Sequence, residues 1–317
     1  MLNPGRRAWL VVLAVLLTAP GCASQKDAQS RVDSEYRRLM ELQRQRQAVV
    51  DERPIPADLP QASVQSHEKL GDNYLKQDNA AMAFVEYRKA LAMEPGNPYL
   101  RYKIGRLLVR KGLYEEALKE FNVLTEKDSK QYLGYQGKAE TLLAMGRVDA
   151  SQESALQAVT LSGSWLTYAL LGRIYQRQKK FPEAVESYGK ATSLNPQSVS
   201  LYNDLGITLF SAERDEEAVQ AFLKALGLDP ANQIAYNNMG LALFRLKQYD
   251  QAFEAFKRGS DEAAAYNNIG VLYMREENYP LALEAFEKAV EAKPSYYEQA
   301  HENMRKAKEA LAREATR

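Results

Sequence analysis

The feature of this sequence that most constrains its fold is a repeat of about 34 residues. A glycine that follows an apolar residue recurs along the chain, and one alanine fills the single gap in the series. The intervals are 34, 34, 33, 34, 34 and 30 residues, and the series is Gly71, Gly105, Ala139, Gly172, Gly206, Gly240 and Gly270. A fixed period of this length is typical of stacked units in which each unit contacts only its neighbours. The sequence therefore predicts seven such units.

Each unit is predicted to be a pair of amphipathic helices. If the small residue is numbered as repeat position 8, then positions 4, 7, 8 and 11 share one face of a first helix, and positions 20, 24 and 27 share one face of a second. Position 24 is aromatic in six of the seven units: Tyr87, Phe121, Tyr188, Phe222, Phe256 and Phe286. Neither helix can bury its apolar face alone, so we expect the pairs to stack.

These positions resemble the tetratricopeptide repeat (TPR) family. The resemblance covers Val64 to Tyr296, and it implies an all-α superhelical solenoid of about seven helix-turn-helix repeats. It also implies that the first helices line a concave groove that binds other polypeptides. Residues 297–317 keep helical spacing of apolar residues in a charged segment, which predicts a C-terminal capping helix.

The N-terminal segment predicts export and lipid attachment. The apolar run from Ala8 to Leu17 follows two arginines and is too short to span a bilayer, but it suits the core of a signal peptide. Cys22, the only cysteine, comes soon after this run. This order is similar to the lipobox of bacterial lipoproteins, which implies that residues 1–21 are removed and that Cys22 is acylated.

The same resemblance predicts a location. Ala23 follows the cysteine where aspartate would imply retention at the inner membrane, so we expect the inner leaflet of the outer membrane, with the protein facing the periplasm. Residues 22–63 are then a lipidated tether, a spacer helix and a proline-rich linker, and residues 64–296 are the seven repeats. An ordinary signal peptide with an incidental cysteine is the alternative.

The residue inventory offers little for catalysis. The two histidines, His67 and His301, have no metal partner set, and the Gly-Lys pair in the stretch GYQGKAE lacks the spacing of a phosphate-binding loop. The paired acids Glu115/Glu116 and Glu216/Glu217 open second helices, where negative charge complements the helix dipole. We therefore predict a protein that is not an enzyme and has no cofactor or metal. The formal net charge of +1 gives no basic footprint for nucleic acid.

The groove positions implied by the resemblance divide into two kinds. The second and fourth repeats present basic side chains, which are Lys103, Arg106, Arg110, Arg173 and Arg177. The fifth to seventh repeats present asparagines beside apolar residues, and the predicted peptide-binding set is Asn203, Asn237, Asn238, Asn267, Asn268, Phe210, Phe244 and Met274. An asparagine amide can donate to a peptide carbonyl and accept from a peptide N–H. The asparagines could instead cap or bridge neighbouring helices.

Two repeats depart from the pattern. The third has Ser151 and Ala155 where alanine and an aromatic residue are expected, which predicts a thin core and a soft joint. The sixth is four residues short, and Gly259 followed by Ser260 and Asp261 predicts an early helix end and an immediate new start.

The leading functional hypothesis is a non-enzymatic scaffold that is anchored by lipid to the bacterial envelope and binds an envelope protein as an extended peptide or a partner helix. Its layout is similar to that of TPR lipoproteins that assist assembly of pili and secretin rings. An adaptor for peptidoglycan synthases or hydrolases is a second hypothesis, and an accessory subunit of an enzyme is a third.

Overall fold

The structure, a computed structural model, describes residues 63–293 and 297–315. The predicted signal peptide, Cys22 and the tether lie outside the described residues. Contacts divide the chain into two compact units that meet in sequence between Gly163 and Ser164. We call the described part of the first, residues 63–163, the N-unit, and that of the second, residues 164–315, the C-unit.

Both units consist of helices in the part of the chain that the structure describes. The N-unit contains α1 (Val64–Lys76), α2 (Ala80–Met93), α3 (Pro98–Arg110), α4 (Tyr114–Lys127), α5 (Tyr132–Ala144) and α6 (Val148–Leu161). The C-unit contains α7 (Trp165–Arg177), α8 (Phe181–Leu194), α9 (Val199–Ser211), α10 (Asp215–Leu228), α11 (Gln233–Arg245), α12 (Tyr249–Gly259), α13 (Glu262–Arg275), α14 (Tyr279–Glu291) and α15 (Glu298–Ala315). The prediction of an all-α fold built from seven helix pairs is confirmed.

The turns fall where the period requires them because polar side chains cap the helices. Asn97 accepts hydrogen bonds from the backbone N–H groups of residues 99 and 100, and Pro98 occupies the first turn of α3. Ser198 and Asn232 cap α9 and α11 in the same way. Such side chains satisfy N–H groups that have no partner within the helix.

The recurrent glycines let the two helices of a repeat approach closely. A Cβ built at Gly206 would lie 2.5 Å from Phe222 Cε1, and one built at Gly240 would lie 2.7 Å from Phe256 Cε1. Phe222 and Phe256 are the aromatic residues at position 24 of the same repeats, and both are buried. The glycine and the aromatic residue are therefore one packing unit, and any side chain at position 8 would compete with the ring.

The first helices form the inner side of each unit. Among helices that are not consecutive in the chain, the most extensive contacts are those of α3 with α5, of α9 with α11, and of α13 with α15. The first two of these pairs join first helices, and α15 packs in the position that the first helix of another repeat would take. Because first helices approach one another more closely than second helices do, each unit bends toward its first helices.

The two irregular repeats retain a packed interior. In the third repeat, Ser151 is fully buried and its hydroxyl donates to the Ala139 carbonyl at 2.7 Å, while Ala155 is also buried. In the sixth repeat, α12 ends at Gly259, and Asp261 caps α13 by accepting from the backbone N–H of Ala264 at 2.7 Å. The predicted early helix end is confirmed.

The terminal helix α15 caps the C-unit as predicted. Ala300 and Ala307 are completely buried, and Met304 packs with Ala307 against Phe286 of α14. The opposite face of α15 carries acids and bases paired at helical spacing, including Arg305 with Glu309 at 2.6 Å. A last repeat without such a cover would expose its apolar face.

Candidate functional site

The exposed faces of the first helices in the C-unit carry apolar side chains. Ile234 is 64% exposed at the start of α11, and Leu166 is 47% exposed at the start of α7. Asn238 and Leu241 follow Ile234 at intervals of four and three residues, so the three share one face of α11. Leu166 and Ile234 both occupy repeat position 2, and neither belongs to the peptide-binding set predicted from the sequence.

The asparagines at repeat position 5 bind neighbouring helices. Each uses its amide in a hydrogen bond to the next helical layer: Asn203 Nδ2 to Asn232 Oδ1 (3.5 Å), Asn237 Nδ2 to the Gly259 carbonyl (3.3 Å), and Asn303 Nδ2 to Asn267 Oδ1 (3.0 Å). Asn203 and Asn267 are also buried. These contacts give the position-5 asparagines a structural role in holding successive layers together, which is the alternative that the sequence left open.

The asparagines at position 6 differ from their neighbours. The Asn238 Nδ2 atom is buried and has no hydrogen-bond partner among the described residues. Asn268 is half-buried on the next first helix, α13, and its side chain makes no hydrogen bond with the described part of the chain. The Oδ1 atoms of Asn203 and Asn237 are also buried without partners within the described ranges. An unpaired buried amide costs about 1–3 kcal/mol.

The three apolar residues of the predicted set have different surroundings. Phe244 is 1% exposed, and its ring contacts those of Tyr249 and Tyr273 with centroids 5.1 Å away in each case. The prediction that Phe244 lines the groove is therefore wrong, because the neighbouring aromatic residues draw it into the core. Phe210 is half-buried beneath the guanidinium of Arg245, 3.7 Å from its centroid. Met274 is half-buried beside the core of the last repeat.

The basic side chains of the N-unit are neutralised. Each forms an ion pair with an acid of an adjacent repeat: Lys103 Nζ with Glu68 Oε1 and Asp72 Oδ1 (both 2.8 Å), Arg106 Nε with Glu140 Oε2 (3.6 Å), and Arg110 with Asp78. Tyr87 also donates to Asp72 at 2.5 Å. Burial would raise the pKa of Asp72, but the hydrogen bonds from Lys103 and Tyr87 hold this pKa below its usual value. The predicted basic groove residues of this unit thus each have an acidic partner within the protein.

The two predicted groove arginines of the C-unit, Arg173 and Arg177, differ from these paired side chains. Arg173 and Arg177 are exposed on α7, and neither forms an ion pair with the residues that the structure describes. The carboxyl of Asp204 on α9 interacts electrostatically with Arg173. Burial raises the pKa of the Asp204 carboxyl, and the positive charge of Arg173 offsets only part of this effect.

Asp204→Asn is expected to stabilise the protein at neutral pH. The pKa of Asp204 is raised in the folded state, so the unfolded chain releases this proton first as the pH rises above about 4. The wild type therefore loses stability relative to the variant as the pH rises through the pKa that Asp204 has in the folded protein. Urea unfolding between pH 3.5 and 7 measures the difference. Arg173→Gln in the wild-type background should enlarge the fall in the free energy of unfolding with pH, because it removes the charge that lowers the pKa of Asp204. A stability difference between Asp204→Asn and the wild type that shrinks as the pH rises would contradict this account.

Other polar clusters are structural. His67 Nδ1 lies 2.6 Å from Glu86 Oε2, and Lys89 Nζ lies 2.8 Å from Glu86 Oε1. Burial would raise the pKa of Glu86, but these two hydrogen bonds keep it lowered. Among the described residues, no group of three or more histidines, cysteines or acids could hold a metal ion. None of the described helices has both the length and the apolar character needed to cross a bilayer.

Comparison with known proteins places repeats along the chain. Four family models described as tetratricopeptide repeat match residues 74–138, 169–233, 234–260 and 263–296, which together make up more than half of the chain. Human "Tetratricopeptide repeat protein 6" is 29% identical over 143 residues, which are 44% of this chain and 28% of that protein. The chain thus spans under a third of this relative's length.

Solved structures show the same fold. The C-terminal part of a TPR repeat-containing protein from Cytophaga hutchinsonii aligns with a TM-score of 0.54 and 18% identity, covering 74% of this chain and 98% of that one. A thermophilic TPR protein of Thermus thermophilus aligns with a TM-score of 0.51 and 20% identity, covering 57% of this chain and all of that one. At this identity, the likeness is one of fold.

Proposed function

Because the chain belongs to the tetratricopeptide repeat family and is a protein-protein interaction scaffold of that type, we propose that its C-unit binds an extended segment of a partner polypeptide. The segment lies along the exposed faces of α7, α9, α11 and α13. Neighbouring first helices at about 10 Å spacing give a groove of about 30 Å, which about nine extended residues can span.

The observation that carries this proposal is the unpaired amide of Asn238. Its Nδ2 is buried and has no partner among the described residues, and Asn268 presents an amide without a hydrogen bond on the next first helix. Peptide carbonyls are the acceptors that such donors need, and they occur along an extended chain whatever its sequence. A ligand recognised through its backbone fits this pattern.

Exposed apolar side chains supply the rest of the contact. Ile234 and Leu166 lie at the edge of the same helical faces and are exposed to solvent. Full burial of such a side chain contributes about 1.5–3 kcal/mol. Each amide hydrogen bond adds only about 0.5–1.5 kcal/mol, so affinity depends on several contacts acting together.

The double replacement Asn238→Ala and Asn268→Ala is expected to weaken peptide binding at least tenfold, or about 1.4 kcal/mol, because two hydrogen bonds are lost. The probe is the tightest binder from an array of random synthetic 12-residue peptides, and the full chain is titrated with it by calorimetry. Asn267→Ala is the control, since Asn267 bonds to Asn303 within the protein. This control should lower the unfolding temperature and leave affinity nearly unchanged. Unchanged affinity in the double variant would refute the role of the two amides.

We also propose that the protein is a lipoprotein of the outer membrane and a scaffold for assembly of a pilus or secretion complex. The support is the apolar run that ends near the only cysteine, Cys22, and both features lie outside the described residues. A non-enzymatic role is compatible with the clusters of the described residues, in which charged groups such as Lys103 with Asp72 and Arg245 with Asp215 pair with one another.

Cys22→Ser is expected to abolish labelling by radioactive palmitate and to move the protein from the membrane fraction or leave it as a precursor. The reason is that the thiol is the acylated group, and the acyl chains contribute about 0.8 kcal/mol per buried methylene to membrane binding. Fractionation of labelled cells measures both effects. Undiminished labelling with unchanged membrane recovery would contradict the lipoprotein proposal.

A further inference from the structure

The arginines on α7 form an exposed cationic pair within the C-unit. Arg173 and Arg177 are four residues apart, so they lie on one face of the helix about 6 Å apart along its axis. Like charges at this spacing repel one another. Leu166 lies on the same helical face, at the edge of the groove, and is exposed. This face therefore presents one apolar side chain followed by two cations.

The N-unit shows how this chain pairs its groove cations internally. Lys103 has Glu68 and Asp72 as partners, which lie 35 and 31 residues before it, and Arg110 has Asp78, which lies 32 residues before it. A partner about one repeat away is therefore the rule in that unit.

Arg177 has no acid at that interval in either direction. The stretch about one repeat before it is LLAMGR (residues 142–147), and the stretch about one repeat after it is ITLFSA (residues 207–212). No ion pair reaches Arg177 from the described residues either. The charge of Arg177 is therefore unpaired within the described residues.

We infer that the extended polypeptide bound by the C-unit carries an aspartate or glutamate side chain, which Arg173 and Arg177 bind together at the α7 end of the groove. This inference rests on the proposed function and specifies the chemistry of its ligand. A carboxylate has two oxygens and can accept hydrogen bonds from both guanidinium groups. The anion would also relieve the repulsion between the two arginines.

Asp204 provides a second, opposite test. It lies on the neighbouring first helix α9 and interacts electrostatically with Arg173, but it forms no ion pair with Arg173 of the kind that Asp72 forms with Lys103. Its negative charge would repel an acidic ligand. Removing this charge should therefore tighten binding of an acidic peptide, whereas removing either arginine should weaken it.

The experiment uses an array of synthetic 12-residue peptides made in matched pairs, one with glutamate and the other with glutamine at the same position. The probe is the full chain in four forms: wild type, Arg173→Gln with Arg177→Gln, Asp204→Asn, and Arg106→Gln with Arg110→Gln. The last is the matched control, because those arginines already have partners in the N-unit.

The wild type is expected to bind the glutamate member of its selected pairs about fivefold to tenfold more tightly. The variant with both Arg173→Gln and Arg177→Gln, the α7 double variant, should lose this preference for glutamate while it still binds the glutamine peptides. Asp204→Asn should increase the preference about twofold to threefold, and the N-unit control should keep it. Peptide binding without a glutamate preference, or a preference that survives the α7 double variant, would overturn the inference and leave the proposed function intact. Absence of any peptide binding would overturn both.

Discussion

Replacing Gly206 with leucine is expected to lower the free energy of unfolding by about 3 kcal/mol. Even a Cβ at this position would lie 2.5 Å from Phe222 Cε1, and the Phe222 side chain is buried. Overpacking of this kind typically costs about 1–3 kcal/mol, and leucine extends well beyond its Cβ. Urea unfolding followed by circular dichroism measures the loss, and hydrogen exchange should locate it in α9 and α10.

Gly189→Leu is the matched control. Gly189 lies within helix α8, and a Cβ there would meet nothing within 4 Å. Leucine has a better helix propensity than glycine by about 0.5–1 kcal/mol, so this variant should be as stable as the wild type or slightly more stable. If Gly206→Leu and Gly189→Leu lowered the free energy of unfolding by the same amount, the close contact between glycine and ring would not explain why glycine recurs at repeat position 8.

Replacing Arg245 with glutamine is also expected to cost about 3 kcal/mol. Arg245 Nε donates to Asp215 Oδ2 at 2.6 Å, and the guanidinium also donates to the Phe210 carbonyl. The side chains of Arg245 and Asp215 are only 14% and 11% exposed. Removing one member of a buried ion pair leaves the other charge unpaired, which usually costs about 3–5 kcal/mol.

Arg214→Gln is the control for this second prediction. Arg214 makes two hydrogen bonds to Glu217, at 2.6 and 2.7 Å, but both side chains are about half exposed. Exposed pairs contribute at most about 1 kcal/mol. Asp215→Asn in the Arg245→Gln background should restore part of the lost stability, because the unpaired charge is then removed. Equal effects of Arg214→Gln and Arg245→Gln would show that burial of the pair is not decisive.

The period made the fold predictable from the sequence. The glycine and aromatic positions lie in the same repeat, so their spacing alone placed Gly206 and Gly240 on the faces that pack against a ring. The caps at Asn97, Ser198 and Asn232 could be predicted as well, because each depends on residues within a few positions.

The candidate site was less predictable because its side chains depend on neighbouring repeats. Phe244 has the same repeat position as Phe210, but contacts with Tyr249 and Tyr273 bury it. The bond from Asn237 to the Gly259 carbonyl depends on where α12 ends.

The ion pairs of the N-unit did leave a signal in the sequence. Lys103 and Arg110 have acids 31–35 residues before them, at an interval of about one repeat. In the C-unit, Arg245 has Asp215 30 residues before it. A comparison of charges one repeat apart separates these paired side chains from Arg177 on the sequence alone.

The central claim, that the C-unit binds a peptide along its first helices, is tested most directly by photo-crosslinking. Benzoylphenylalanine would replace Ile234 in one variant and Leu223 in another, and each would be irradiated with the selected array peptide. Both residues are exposed, at 64% and 46%, but Ile234 lies on a first helix and Leu223 on a second. We expect the peptide to crosslink at position 234 at least tenfold more strongly than at position 223. Equal crosslinking at both positions, or crosslinking at position 223 alone, would contradict the account.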